Sequence, residues 1–270
     1  MNSLERKMVD ALKDLRENNY VIGIKAEFEA EGTRMEEALR LKEVCMKAEL
    51  GITLKIGGCE AIKDMYECRV IGVERIVAPM VETPYALKKF LDATKLVFPK
   101  DECEDLKFAV NIETIDACRA FEKMLELPEV KMLDGIIMGR VDLTGSMGLT
   151  REDINKRAVL DMTRELFAKA KKKNLECAIG GGVSAASLPF FKELGNLIDR
   201  YETRKVIFQC PDALGDRAEA GILKAVGFEL MWLKNKRDYY GLIFAEDAQR
   251  ITMLEVRYKK MIEAAGGKYE

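Results

Sequence analysis

The 270-residue chain contains no histidine. Histidine is the side chain that ordinarily changes charge near neutral pH, and it is the commonest metal ligand. Its absence excludes Ser-His and Cys-His nucleophilic enzymes, His-ligated zinc enzymes and two-His iron oxygenases. Chemistry must then fall to carboxylates, lysines, arginines, tyrosines, cysteines or a metal-bound water. Also missing is any apolar run of the ~18 residues that a membrane-spanning helix needs. The stretch from Met1 to Glu17 reads as a charged helix rather than a signal peptide, so a cytoplasmic protein with no membrane partner is expected. The seven cysteines include no C-x-x-C pair, which points to reduced thiols instead of a disulfide framework or zinc knuckle. Neither sign of charge dominates: 44 basic and 46 acidic residues leave a net charge of −2. Nothing therefore draws the chain to nucleic acid or anionic lipid, and Lys171-Lys172-Lys173 reads as a solvated helix face.

What is present is enough apolar material for a large core, 48% of residues against 33% charged, in the size range of a single α/β barrel. Leu4, Met8, Leu12 and Leu15 recur at helical spacing behind Ser3 as a candidate cap and predict an N-terminal helix over 1–19. Strand-like runs then alternate with helical periods. They begin at Tyr20, Ile52, Arg75, Leu106, Ile136, Glu176 and Lys205, with a last apolar run from Phe228 to Leu233 before a C-terminal helical segment over 234–270. About eight such units, without linker or low-complexity segment, predict a parallel sheet closed into a (β/α)8 TIM barrel, an α/β fold forming one domain over 1–270. A doubly wound open sheet is the structural alternative.

Active sites of such barrels lie at the C-terminal ends of the strands. Here those ends carry Glu27, Glu29, Lys55, Glu82, Glu113, Arg140 and Asp142, with glycine turns at Gly57, Gly58, Gly139 and Gly180 to Gly182. The stretch from Leu133 to Gly148 reads as a short strand ending in Gly139, which then presents Asp142 and breaks up in a loop containing Gly145 and Gly148. Glu113 and Asp142 end successive strands, so their carboxylates can meet around a hard divalent cation, magnesium or manganese. Asn111 shares a strand face with Glu113. The competing reading makes Glu113 and Asp142 parts of capped turns. Lys55 is open to three readings: a cation for a substrate carboxylate or enolate, a Schiff-base amine, or a partner of the Glu27 cluster. Arg140 either clamps a carboxylate or phosphate or forms a rim salt bridge. The charges from Glu202 to Lys205 precede a strand and are assigned to the solvated bottom of the barrel.

Asn111-Ile112-Glu113-Thr114 followed by Leu133-Asp-Gly-Ile-Ile-Met-Gly-Arg-Val-Asp-Leu-Thr-Gly-Ser-Met-Gly148 resembles the signature of the HpcH/HpaI aldolase/citrate lyase family, within the phosphoenolpyruvate/pyruvate-binding barrel superfamily. Ala78-Pro79-Met80-Val81-Glu82 is similar to a further family segment, and the likeness spans about Tyr20 to Ala185. The resemblance implies a metal-dependent aldolase or lyase that works through a pyruvate-like enolate. It implies Glu113 and Asp142 as metal ligands, Asn111 beside the metal, Lys55 where the family has a substrate-holding arginine, and backbone amides near Gly139 on the substrate carboxylate. The chain departs from the family pattern at Ala30, which falls where a histidine is expected, near Val70, where its orienting aspartate is expected, and at Arg140, which replaces a proline. A base must then come from Glu27, Glu29 or a metal-bound water, and a carboxylate base needs a raised pKa.

The expected function is a carbon–carbon lyase or aldolase using Mg2+ or Mn2+, taking a pyruvate-like 2-keto acid and an aldehyde or acyl acceptor, with sugar-acid biosynthesis as a candidate setting and a homo-oligomer as the expected assembly. Lys55, Glu27, Glu29 and Arg140 are the catalytic candidates, and Asn111, Gly139 and Lys55 the substrate-binding ones. The alternatives are an acyl-CoA- or phosphoenolpyruvate-using lyase or synthase, and a non-catalytic barrel that binds a keto acid.

Overall fold

The computed structural model describes residues 1–268. Its first helix, α1 (Ser3–Asn19), is capped one residue earlier than the sequence suggests: Asn2 accepts from the Glu5 N–H, and Glu5 accepts from the Asn2 N–H in return. This reciprocal arrangement satisfies two N–H groups that the helix itself leaves unpaired. The chain then alternates through β1 (Val21–Glu27), α2 (Met35–Lys47), β2 (Gly51–Lys55), α3 (Ile62–Ile71), β3 (Arg75–Ala78) and α4 (Pro84–Val97). It continues as β4 (Lys107–Ile112), α5 (Ile115–Leu125), β5 (Gly135–Gly139), α6 (Arg140–Ser146), α7 (Arg157–Lys171), β6 (Glu176–Gly180) and α8 (Leu188–Leu194). Two short strands, β7 (Arg200–Glu202) and β8 (Val206–Gln209), precede the long α9 (Ala218–Ala264).

The eight strands close into a barrel in chain order. β1 to β7 are parallel, whereas β8 runs antiparallel to both β7 and β1. The all-parallel expectation fails here for a geometric reason: only Thr203, Arg204 and Lys205 separate β7 from β8, far short of the dozen or more residues a parallel crossover needs. Thr203 closes the turn, its backbone N–H donating to the Val206 carbonyl at 2.9 Å and its Oγ1 accepting from the Val206 N–H at 3.1 Å. Tyr201 locks the hairpin by stacking between Phe191 and Phe208, with centroids 5.1 and 4.7 Å away. The run from Phe228 to Leu233, expected as a strand, lies inside α9, which begins at Ala218 rather than at 234. The chain forms two compact units, Met1–Glu229 and a second that begins at Leu230. No helix among the described residues is long and apolar enough to cross a membrane.

Side chains fill the barrel in layers. Val77, Ala109, Ile137 and Ala178 form the apolar middle layer. Below it, at the N-terminal ends of the strands, Arg75, Lys107 and Arg200 all converge on the Glu176 carboxylate, at 2.6 Å for Arg75 and 2.9 Å for Lys107. Burial would raise the pKa of Glu176, but the Arg200 and Arg75 charges overcome it and pull the value down to about 2. A carboxyl depressed in this way stabilises the fold fully above its ordinary value of 4.5 and loses that contribution as pH falls toward 2. Glu176→Gln should cost about 3 kcal/mol at neutral pH, since two buried arginines lose their counter-charge. In urea titrations the variant should show a flatter fall in stability than the parent between those two pH values.

Candidate active site

A cavity of about 410 Å3 opens at the C-terminal ends of the parallel strands, over Ile137 of the middle layer. Strand alternation brings every second residue to it: Lys25 and Glu27 from β1, Lys55 from β2, Asn111 and then Glu113 from β4, Gly139 from β5, Gly180 from β6 and Glu202 from β7. Because β8 is reversed, its start lies at this same end. The hairpin therefore contributes Thr203 and Arg204 to the cavity.

Glu113 is 3% exposed and forms no ion pair among the described residues. Two neutral donors hold it: the Met80 N–H at 3.0 Å on Oε1 and the Asn111 amide at 2.9 Å on Oε2. Met80 directs its N–H there from a left-handed backbone conformation, φ 50°, uncommon for a residue other than Gly, Asn or Asp. Gly139 is equally specific to this carboxylate, because a Cβ at that position would lie 2.4 Å from Glu113 Oε2. Burial pushes the Glu113 carboxyl up, and the Asp142 charge nearby adds to the effect. Asp142 lies on the cavity wall, exposed and also without an ion pair among the described residues. It sits in the first turn of α6, and Gly145, expected in a loop, lies in the same helix, since Gly139 ends the strand and the helix starts at the next residue. Two acidic groups that lack cations thus share one wall. They offer oxygen donors to a hard divalent ion, with water and ligand oxygens completing its shell; no cluster of three or more acidic or thiol donors occurs among the described residues.

On the opposite wall every charge is compensated. Lys25 bridges Glu27 at 3.1 Å and Glu202 at 2.6 Å. Lys55 reaches Glu29 at 2.7 Å and Glu27 at 3.7 Å. Burial opposes the charge on Lys55, but Glu27 and the hydrogen bond to Glu29 outweigh it, leaving the ammonium more firmly protonated than usual. Burial likewise opposes the Glu27 carboxylate, and the Lys25 and Lys55 charges hold it below the usual range. Glu29 and Glu31 lie beyond the end of β1 and separate, Glu29 to Lys55 and Glu31 to Lys205.

Several sequence expectations change. Arg140 follows a strand end yet does not line the cavity: its guanidinium is fully buried and donates to the Gly180 and Gly181 carbonyls, Asn155 Oδ1 and Ser187 Oγ. The Phe190 and Phe191 rings pack against it at 5.2 and 4.9 Å. It meets no carboxylate among the described residues, and burial lowers its pKa to about 9. Gly181 lets the chain pass close over the start of α6, since a Cβ there would lie 2.7 Å from the Val141 backbone nitrogen and 2.8 Å from that of Arg140. Glu82 accepts from the Thr114 hydroxyl, and Gly57 donates to Asp64; neither reaches the cavity. Glu202 and Arg204, assigned to the solvated bottom, line the mouth instead, and Lys205, assigned with them, is buried. Lys25, Arg151, Glu202, Arg204 and Glu229 are lining residues that the sequence does not single out. Only Lys25 carried a signal, the same alternation that brings in Glu27.

A family model described as HpcH/HpaI aldolase/citrate lyase matches residues 35–185, a range that contains Lys55, Asn111, Glu113 and Asp142. No curated protein sequence matches the chain. Among solved structures, an HpcH/HpaI aldolase from Desulfitobacterium hafniense DCB-2 is 13% identical with a TM-score of 0.58, over 83% of this chain and 88% of its own. An HpcH/HpaI aldolase/citrate lyase family protein from Burkholderia cenocepacia J2315 is 15% identical with a TM-score of 0.60, over 95% of this chain and 100% of its own. The citrate synthase SbnG is 13% identical with a TM-score of 0.60, covering 86% of this chain and 90% of its own. At such identities the likeness is one of fold.

Arg140→Lys should lower unfolding stability in urea by about 2–4 kcal/mol, because an ammonium cannot serve four separated acceptors and strands some of them. Ligand affinity in the cavity should stay within about twofold of the parent's, as expected of a group that acts on the wall and not on the ligand.

Proposed function

Because the chain belongs to the HpcH/HpaI aldolase/citrate lyase family, we propose that it is a divalent-metal-dependent carbon–carbon lyase or aldolase acting through the enolate of a pyruvate-like 2-keto acid. The observation that supports this reading best is Glu113: a buried carboxylate held by two neutral donors, beside Asp142, on a cavity wall where neither acid has a cation. That donor set fits Mg2+ or Mn2+, with Glu113 and Asp142 as protein ligands. The ion, when bound, supplies Lewis acidity that polarises the keto carbonyl and stabilises the enolate oxygen.

The chain's own residues do the rest. Lys55 stays protonated, so it serves as a fixed positive charge for the keto-acid carboxylate or enolate and not as a Schiff-base amine. Asn111 orients Glu113 through its amide and stands next to the ligand space. Gly139 leaves room for Glu113. Of the two acids considered as bases, Glu27 is held ionised by two lysines and is the weaker acceptor. Glu29, tied by a single ion pair and 32% exposed, is left with the proton-transfer role, for which a ligand carboxylate must first draw Lys55 away from it. Arg140 has no part in the chemistry, which removes the group that a phosphoenolpyruvate reading would place on the phosphate. Arg151 and Arg204 at the mouth favour an acceptor that carries a carboxylate. A fold neighbour is called a citrate synthase, and condensation onto a carboxylated acceptor is the second reading.

Stripping the protein of divalent ions should abolish both turnover of 2-keto acids and solvent deuterium exchange into the pyruvate methyl group, and Mg2+ or Mn2+ should restore both. Glu113→Gln and Asp142→Asn should each cut exchange at least about a hundredfold. Tight keto-acid binding with no exchange under any metal would establish a binding barrel instead. Metal-free Glu113→Gln should be no less stable than the parent, because it removes a buried carboxyl whose raised pKa makes its charge a burden that grows as pH rises.

A further inference from the structure

The second compact unit begins at Leu230 within α9, and beyond Asn235 no described residue of that helix is buried. A lone helix has no face of its own on which to bury apolar side chains. From Leu230 one set of large residues steps by three and four alternately, through Leu233, Tyr240, Phe244, Ile251 and Leu254 and on to Tyr258 and Met261, with Arg237 and Asp247 filling the two remaining positions; Leu242, Ile243, Met253 and Val256 are exposed as well and lie off this set. This is a 3.5-residue repeat, the period of a left-handed coiled-coil seam and not of a helix packed once on a globular core. Leu230, Leu233, Phe244, Ile251 and Leu254 are 51% to 75% exposed.

We propose that this seam is an interface between two copies of the chain, paired as an antiparallel two-stranded coiled coil. The charges select the direction. A parallel in-register pair would stack Arg237 on Arg237 and Asp247 on Asp247, like charges inside a seam. Reversing one helix about an axis level with Leu242 makes every layer agree: Leu230 meets Leu254 of the second copy, Leu233 meets Ile251, Tyr240 meets Phe244, and Arg237 meets Asp247. Among the described residues of one chain, Arg237 pairs with its exposed neighbour Asp238 alone, at 2.7 Å, and Asp247 has no ion pair. Gly241 adds an independent sign. A mid-helix glycine costs about 1 kcal/mol relative to alanine, and a Cβ there would meet nothing within 4 Å in the single chain. Beside the two-fold axis it faces its own copy, where bare backbone lets the helices approach.

This inference does not depend on the catalytic reading, and its test uses the full chain with no substrate. Sedimentation equilibrium should give an even-numbered assembly for the parent. Asp247→Arg should raise its dissociation constant at least about tenfold, with helix content by circular dichroism unchanged. The charge swap R237D/D247R should restore the assembly. Mixing R237C with D247C under mild oxidation should give a disulfide between the two variants. A monomeric parent, an assembly indifferent to Asp247→Arg, or R237C joined to itself in place of D247C would each overturn the proposal.

Discussion

A carboxylate inside protein, served by neutral donors alone, is a charge left uncompensated, and the rim of this barrel is arranged around it. Glu113 has the Met80 N–H and the Asn111 amide but no ion pair among the described residues, and burial outweighs these donors and the Lys55 charge to drive its carboxyl toward the protonated form. The surrounding backbone is bent to keep it there. Met80 adopts φ 50° to aim its N–H, and position 139 must be glycine to leave room for an oxygen. Neither feature improves packing. Both make sense if the carboxylate is meant to meet a positive charge that arrives from outside.

The facing wall shows what the same chain does when charge is wanted for structure. Lys25, Glu27, Lys55, Glu29 and Glu202 form a connected chain of pairs across β1, β2 and β7. The lower network around Glu176 repeats the pattern with arginines. The cavity is therefore asymmetric: one side saturated with its own counter-ions, the other deficient by one cation. The lysines of the saturated side are held ionised and in place.

The parallel part of the barrel was legible because its strands are buried on both faces and read as unbroken apolar runs ending in a charge or a glycine. Glu113, Asp142, Lys55 and Asn111 followed from those endings together with the family signature. What escaped did so for physical reasons. Arg200-Tyr201-Glu202 is a three-residue strand with charges at both ends, offering no period to read, and its partner's direction depends on a turn three residues long. A parallel β8 would put Glu202 and Arg204 at the other end of the barrel. Phe228 to Leu233 is apolar enough for either a strand or a helix, and its neighbours in α9 decide the matter. Arg140 shows that position at a strand end does not fix direction: the carbonyls of Gly180 and Gly181 and two phenylalanine rings turn it into the wall.

The reversed eighth strand has a consequence for how this scaffold can diverge. In a fully alternating barrel each loop over the site hands the chain to a helix, so lengthening a loop disturbs the docking of that helix. Here one connection over the site is a bare turn between two strands already hydrogen-bonded to each other, anchored beneath by Tyr201 between two rings. Insertions or exchanges at Arg204 would remodel the entrance without moving a helix that the turn leads into, its tie to a helix being the 3.8 Å pair with Glu229 of α9.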